Sequence, residues 1–174
     1  FTVLNDQVTL SLDTSGAGLH KRGYRAVSND APLHETLAAG MIQLARYRGK
    51  EYFWDPFCGS GTIPIEAALI AKNRAPGLNR RFAAEEFPWM PKELWEQART
   101  EAKDREFKGN YRILGSDNDP ACVSLAMANA RKAGVADAVE FRDGDATKMS
   151  LPSDSGLLVC NPPYGERMME QQSA

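Results

Sequence analysis

The sequence predicts an α/β fold, a parallel sheet with helices on both faces. Three observations carry this. Short apolar runs alternate with longer segments of helical periodicity. The connections between the runs are long enough for crossover helices, as parallel strands require. Each of four apolar runs also ends in polar or glycine residues, as strands do when they deliver a ligand site at the carboxyl edge of an open sheet.

Residues 1–12 alternate loosely through Val3, Val8, Leu10 and Leu12 and read as a strand or hairpin. A polar, glycine-bearing stretch, Ser15 to Arg25, follows and contains His20, Lys21, Arg22 and Arg25. A helix comes next, with Asn29 or Asp30 as its cap and Pro32 in its first turn. Leu33, Leu37, Ala38, Met41, Ile42 and Ala45 fall on one side of it. Tyr52-Phe53-Trp54 is the first sheet strand, and Ile63 to Asn73 is a helix apolar almost all round, hence buried on more than one side. Residues 74–111 form a polar insertion with an amphipathic helix near 91–107, marked by Leu94, Trp95, Ala98 and Ala102. Arg112 to Gly115 begin the second strand; Asp119 caps the next helix, with Pro120 at its first position and Gly134 at its end. Val123, Ala126, Met127 and Ala130 line that helix. Val139 to Phe141 and Leu157 to Cys160 are the third and fourth strands.

The 174 residues are 43% hydrophobic and carry a net charge of -2, which describes one domain with a real core and excludes a coiled coil, a collagen repeat or a disordered tail. No apolar run reaches the roughly 20 residues of a membrane span. The three cysteines, Cys58, Cys122 and Cys160, are scattered, which argues against disulfides and a metal site and for a reducing, cytoplasmic setting. Phe1 at the start, with no signal-peptide build, reads as an entry into the chain of a longer protein. The near-neutral charge gives this segment no strong nucleic-acid footprint.

The four strand ends carry the chemistry. Asp55 precedes Phe57, Gly59, Gly61 and Thr62, a tight turn into a helix whose free N–H groups can face a ligand. A dinucleotide fingerprint wants a third glycine where Pro64 stands, and no G-K-[ST] follows. A carboxylate before the glycines suits an ammonium group, and so a ligand with an amino-acid end. Asp117 can accept from both hydroxyls of a ribose. Asp145, followed by the backbone of Ala146, can meet an adenine edge, although an Asp there also reads as a turn residue. Asn161-Pro162-Pro163-Tyr164 combines two fixed prolines with the Asn161 side-chain oxygen and the Pro162 carbonyl as neighbouring acceptors. Two acceptors beside an aromatic suit a planar ring with an exocyclic amine. Hydrogen bonds to both amine protons would draw its nitrogen toward tetrahedral geometry for in-line attack on a methyl group, so that positioning supplies most of the rate.

The run Asp55 to Thr62, taken with Asn161 to Arg167, resembles class I S-adenosylmethionine-dependent N-methyltransferases. Leu12 to Gly16, His20 to Arg25, Ala31-Pro32-Leu33 and Glu35 to Ala39 are similar to the entry into the catalytic domain of bacterial 23S ribosomal RNA guanine-N2 methyltransferases that carry a THUMP domain. The resemblance implies S-adenosylmethionine as cofactor and RNA as partner. It assigns Asp55, Phe57, Gly59, Gly61 and Thr62 to the methionine half, Asp117 to the ribose, Asn118, Asp145 and Ala146 to the adenine, and Thr36 to the carboxylate end. Asn161, Pro162, Pro163 and Tyr164 would hold the target base. It also implies a Rossmann-like sheet with more strands than the four readable here. Residues 1–30 then form the entry from an N-terminal RNA-binding domain outside this chain, and 31–174 the first part of the catalytic domain. Competing readings are an adenine-N6 DNA methyltransferase, an NAD-dependent oxidoreductase and a non-catalytic RNA-binding module. His20 to Arg25, Arg46 to Lys50 and Arg80-Arg81 are candidate RNA contacts; Trp89 and Trp95 read as packing residues, as do Cys58 and Cys160.

Overall fold

The computed structural model describes residues 1–25, 33–149 and 153–163. Its centre is a four-stranded parallel sheet of β3 (Phe53–Asp55), β4 (Ile113–Asp117), β5 (Val139–Asp143) and β6 (Leu157–Leu158), in the order β5-β4-β3-β6. From β3 the chain steps outward to β4 and then β5, and later returns to add β6 on the other side of β3. The strand order thus reverses between β3 and β6, the position where open α/β sheets bind ligands.

Strand alternation separates two faces. Phe53, Ile113 and Phe141 point to one face and join Ile65, Ala67, Ala126 and Ala130 in the main core. Helices α2 (Thr62–Ala71) and α4 (Pro120–Ala133) cover this face and touch each other. The expectation of helices on both faces is therefore met on one face among the described residues. Every residue of α2 except Ile70 is buried, because α1 (Glu35–Leu44) packs on its outer side. That matches its apolar character all round.

Helix α1 starts at Glu35, with His34 at the cap position making no side-chain cap bond. The predicted cap residues Asn29 and Asp30, and Pro32, lie outside the described residues. Ala38 and Ile42 are fully buried as expected, whereas Leu37 is 56% exposed and does not belong to the packed side. Helix α4 follows its sequence signals closely. Asp119 accepts the Ala121 N–H at 2.8 Å, Pro120 opens the helix, and Gly134 ends it with a φ of 73°. Met127, expected inside, is exposed.

Two regions depart from a simple core. β1 (Thr2–Leu4) and β2 (Gln7–Thr9) form the expected hairpin around Asn5 and Asp6, both at positive φ, but its apolar residues stay exposed. Helix α3 (Lys92–Asp104), in the insertion, has no buried residue. Trp95 stacks on Phe82 at 5.5 Å, and Arg99 lies over Trp95 and pairs with Glu85 at 2.8 Å. Trp89, expected to pack, is 67% exposed.

The entry segment is fastened to this frame by buried charge. Arg80 donates to the carbonyls of Ser15, Ala17 and Gly18. The Tyr24 hydroxyl donates to Glu66 Oε1 at 3.1 Å inside α2, and Arg22 Nε lies 3.5 Å from the same oxygen. Burial pushes the Glu66 carboxyl up to about 7, against the pull of Arg22 and the Tyr24 hydrogen bond. Between its unfolded value of 4.5 and about 7 the folded chain keeps a proton that the unfolded chain has released, so this group's contribution to stability falls as pH rises. Glu66→Gln removes that dependence. The stability of wild type relative to the variant should fall by up to about 3 kcal/mol between pH 4 and pH 8 in urea unfolding.

Candidate active site

β3 ends at Asp55, which is 1% exposed and accepts the Phe57 N–H at 3.1 Å. Burial raises its carboxyl to about 7; the Phe57 amide opposes this and the Asp117 charge adds to it. The loop that follows is held on several sides. Cys58 N–H donates to the Ser116 carbonyl at 2.9 Å and Gly61 N–H to the Cys58 carbonyl at 2.8 Å. Asn129, from α4, donates to the Ser60 carbonyl at 3.0 Å. Gly59 N–H donates to Asp117 Oδ2 at 2.8 Å, joining the ends of β3 and β4.

The two glycines serve different purposes. Both have left-handed backbones, with φ of 51° at Gly59 and 84° at Gly61. A Cβ on Gly61 would lie 2.8 Å from the Ala126 Cβ and 3.2 Å from the Phe141 ring, so this glycine lets α4 and β5 close on the loop. A Cβ on Gly59 would meet nothing within 4 Å, so the space at this glycine, whose amide Asp117 holds, is open. The absent third glycine is also explained. Pro64 lies against Gly115 of β4, where an added Cβ would come within 3.0 Å of its ring; the strand supplies the small residue instead of the helix.

The other strand ends come to the same edge. The second oxygen of Asp117 accepts the Asp119 N–H at 3.1 Å, and Asn118 is exposed beside it. Gly144 N–H donates to the Asp117 carbonyl at 2.9 Å, bringing the turn after β5 alongside. In that turn Asp145 is exposed, accepts from Thr147 N and Oγ1 at 2.9 and 2.7 Å, and pairs with Lys148 at 3.0 Å. These contacts hold its carboxyl at about 2 and form the turn that the sequence also allowed. Ala146 is half-buried next to it. Beyond β6, Val159 N–H donates to the Trp54 carbonyl at 3.1 Å, so the chain stays in register as it passes β3. Burial and the nearby Asp55 charge raise the Cys160 thiol, and Asn161 follows it in the chain just past the residues paired with β3. Asn161 is half-buried and Pro162 and Pro163 are exposed; Tyr164 lies outside the described residues. Phe57 is 40% exposed, Thr62 is buried, and Thr36 is exposed on the first turn of α1.

Some basic residues read as RNA contacts turn inward. The Arg22 and Arg25 side chains are 13% and 12% exposed and face carboxylates, and Arg80 serves backbone carbonyls. Arg46, Arg48, Lys50 and Arg81 remain exposed. Cys58 is buried with its thiol raised by burial, in keeping with a packing role. Sequence reasoning missed the Trp54 indole, which donates to Ser116 Oγ at 2.9 Å immediately before Asp55 and Asp117. It also missed Glu66, although one charged residue in an apolar helix was a visible signal. Among the described residues there is no His, Cys, Asp and Glu group fit for a metal, and no helix is long and apolar enough to cross a membrane.

Two outcomes test this geometry. Gly61→Ala should destabilise the fold by about 2–4 kcal/mol in denaturant unfolding, from left-handed strain plus overpacking against Ala126. Asp117→Ala should raise hydrogen exchange at the Gly59 amide roughly 10- to 100-fold, because that amide loses a charge-assisted acceptor.

Comparison with known proteins places this geometry in a family. A model described as an RMKL-like methyltransferase domain matches residues 22–174. The chain is 46% identical, over 99% of its length, to the Bacillus subtilis (strain 168) protein named "Putative RNA methyltransferase YpsC", covering 45% of that protein. It is 42% identical over 94% of its length to the ribosomal RNA large subunit methyltransferase K/L of Vibrio campbellii, covering 24% of it. A Listeria monocytogenes structure titled as a predicted N6-adenine-specific DNA methylase superposes with a TM-score of 0.86 at 47% identity, over 91% of this chain and 42% of that one. SMU.472, titled a putative methyltransferase complexed with SAH, gives 0.83 at 41% identity over the same shares. The chain therefore spans less than half the length of each of these relatives. It belongs to the RMKL-like methyltransferase domain family.

Proposed function

We propose that the protein containing this chain transfers a methyl group from S-adenosylmethionine to an exocyclic base amine of RNA, guanine N2 of ribosomal RNA. The observation that carries the reading is the open space at Gly59, whose amide is held by Asp117 in the loop that follows buried Asp55, on the carboxyl edge of the sheet toward which β6 also runs. The donor set fits the cofactor. Asp55 would receive the ammonium group, and Phe57, Gly59, Gly61 and Thr62 would line the methionine half. Asp117 would accept from the ribose hydroxyls with lone pairs left free by its two backbone bonds. Asn118, Asp145 and Ala146 would face the adenine, and Thr36 the carboxylate end.

S-adenosylmethionine supplies an electrophilic sulfonium methyl group. The chain's own residues do the rest by positioning. Asn161 and the Pro162 carbonyl would accept the two amine protons and aim the nitrogen lone pair, and Tyr164 would stack on the base. The prolines keep competing backbone donors out of that contact. No strong general base is needed, since the attacking nitrogen becomes acidic once methylated and releases its proton to solvent. A base paired in a helix must be flipped out or already unpaired to reach this edge. The ribosomal names of the K/L relatives support an RNA substrate, and regions outside this chain would share the grip on it. The reaction belongs in the cytoplasm, where ribosomal RNA is made and no membrane or metal is required.

Adenine N6 in DNA is the second reading, because the Asn161 to Tyr164 motif suits either amine and a solved relative is titled for that activity. With Arg22 and Arg25 turned inward, the preference for RNA rests on the relatives rather than on exposed charge in the entry segment. An oxidoreductase is disfavoured by the Asn161-Pro162-Pro163-Tyr164 run, which serves an amine rather than a nicotinamide. Mass-spectrometric mapping of nucleosides from cells lacking the full-length protein separates these readings. The expected result is loss of N2-methylguanosine at one ribosomal site; intact RNA with loss of N6-methyladenine from DNA would overturn it.

A further inference from the structure

Arg25 belongs by sequence to a basic cluster, yet the structure draws it to the meeting point of two helix starts. Its Nη2 donates to Thr62 Oγ1 at 2.6 Å, on the first residue of α2, and to the Leu33 carbonyl at 3.1 Å, just before α1. Its Nε stands 3.7 Å from Glu35 Oε1, on the first residue of α1, and among the described residues it makes no hydrogen bond although buried. One guanidinium thus fixes the start of α1, which carries Thr36, against the end of the glycine loop, where the Ser60 hydroxyl lies 3.5 Å from Thr62 Oγ1. A planar fork with several donors can span these acceptors at once, and a lysine ammonium cannot. Among the described residues the carboxylate paired with this charge is Glu35. Glu35 is beyond hydrogen-bond distance, and a buried cation with an unbonded N–H gains from a further anion within reach.

We propose that Arg25 is a positioning residue for the amino-acid end of the cofactor: it sets the separation of Thr36 from Thr62 and presents positive charge to the carboxylate seated between them. This rests on the reading that S-adenosylmethionine lies along the Gly59 to Gly61 loop. The role is local to one end of the ligand, so it predicts selective loss. Adenosine recognition, on the far side of the loop at Asp117 and Asp145, does not pass through Arg25.

The test is calorimetric titration of the full-length protein and its Arg25→Gln variant with S-adenosylhomocysteine and with 5′-methylthioadenosine, which keeps the adenosine thioether and lacks the amino acid. The variant should lose roughly 10- to 100-fold in affinity for S-adenosylhomocysteine and about twofold or less for methylthioadenosine. Equal losses for both ligands, or no loss for either, would overturn the proposal. If Arg25→Gln does not fold, Arg25→Lys keeps the charge but not the fork that spans Thr62 and Leu33, and a smaller but equally selective loss is expected from it, with the same overturning results. A wild-type protein that binds neither ligand sinks the cofactor reading itself, and this proposal with it.

Discussion

The hydrogen bond from the Gly59 amide to the Asp117 carboxylate is the contact on which the site depends. It joins the loop after one strand to the end of the next, so two acidic residues from different elements keep a fixed relation. The bond forms only because the backbone at Gly59 and Gly61 turns through the left-handed region, and because Gly61 admits Ala126 and the Phe141 ring at close range. Packing and electrostatics meet in the same few residues. A larger residue at position 61 would push α4 off the loop, and Asn129 of that helix would lose the Ser60 carbonyl it holds.

Burial gives the site its second property. Asp55 is shut away from water and lies near a second carboxylate, which raises its carboxyl to about 7. Such a group is costly to ionise unless a cation arrives, so an ammonium-bearing ligand would recover part of that cost on binding. Glu66 is raised for the same physical reason, but Tyr24 and Arg22 already occupy it. One buried carboxylate therefore serves as a structural anchor for the entry segment, and the other stands at the open edge of the sheet.

Much of this was legible in the residues. Asp119 with Pro120 and Gly134 fixed both ends of α4, because capping chemistry is local. The almost wholly apolar stretch after Gly61 announced a helix buried on more than one side, and the four strands are parallel, so their carboxyl ends lie along one edge of the sheet. The failures share one cause. Leu37, Met127 and Trp89 carry apolar side chains whose burial depends on what packs nearby, and periodicity does not say whether a neighbour is present. Arg22, Arg25 and Arg80 were read by charge as surface contacts, and they hold partners as far as 44, 37 and 65 positions away.

The sequence by itself determined the alternation of strands and helices, the glycine turn, and the acidic and Asn-Pro-Pro residues at the strand ends, since each follows from local backbone preference and side-chain chemistry. Only the tertiary structure decided which of these residues meet. It placed Asp117 on the Gly59 amide, exchanged the missing third glycine for Gly115 on the neighbouring strand, and turned Arg25 from a surface charge into a tie between two helix starts. Those outcomes depend on distances between elements far apart in the chain, and such distances are set by how side-chain volumes and buried charges fit together once the sheet has formed.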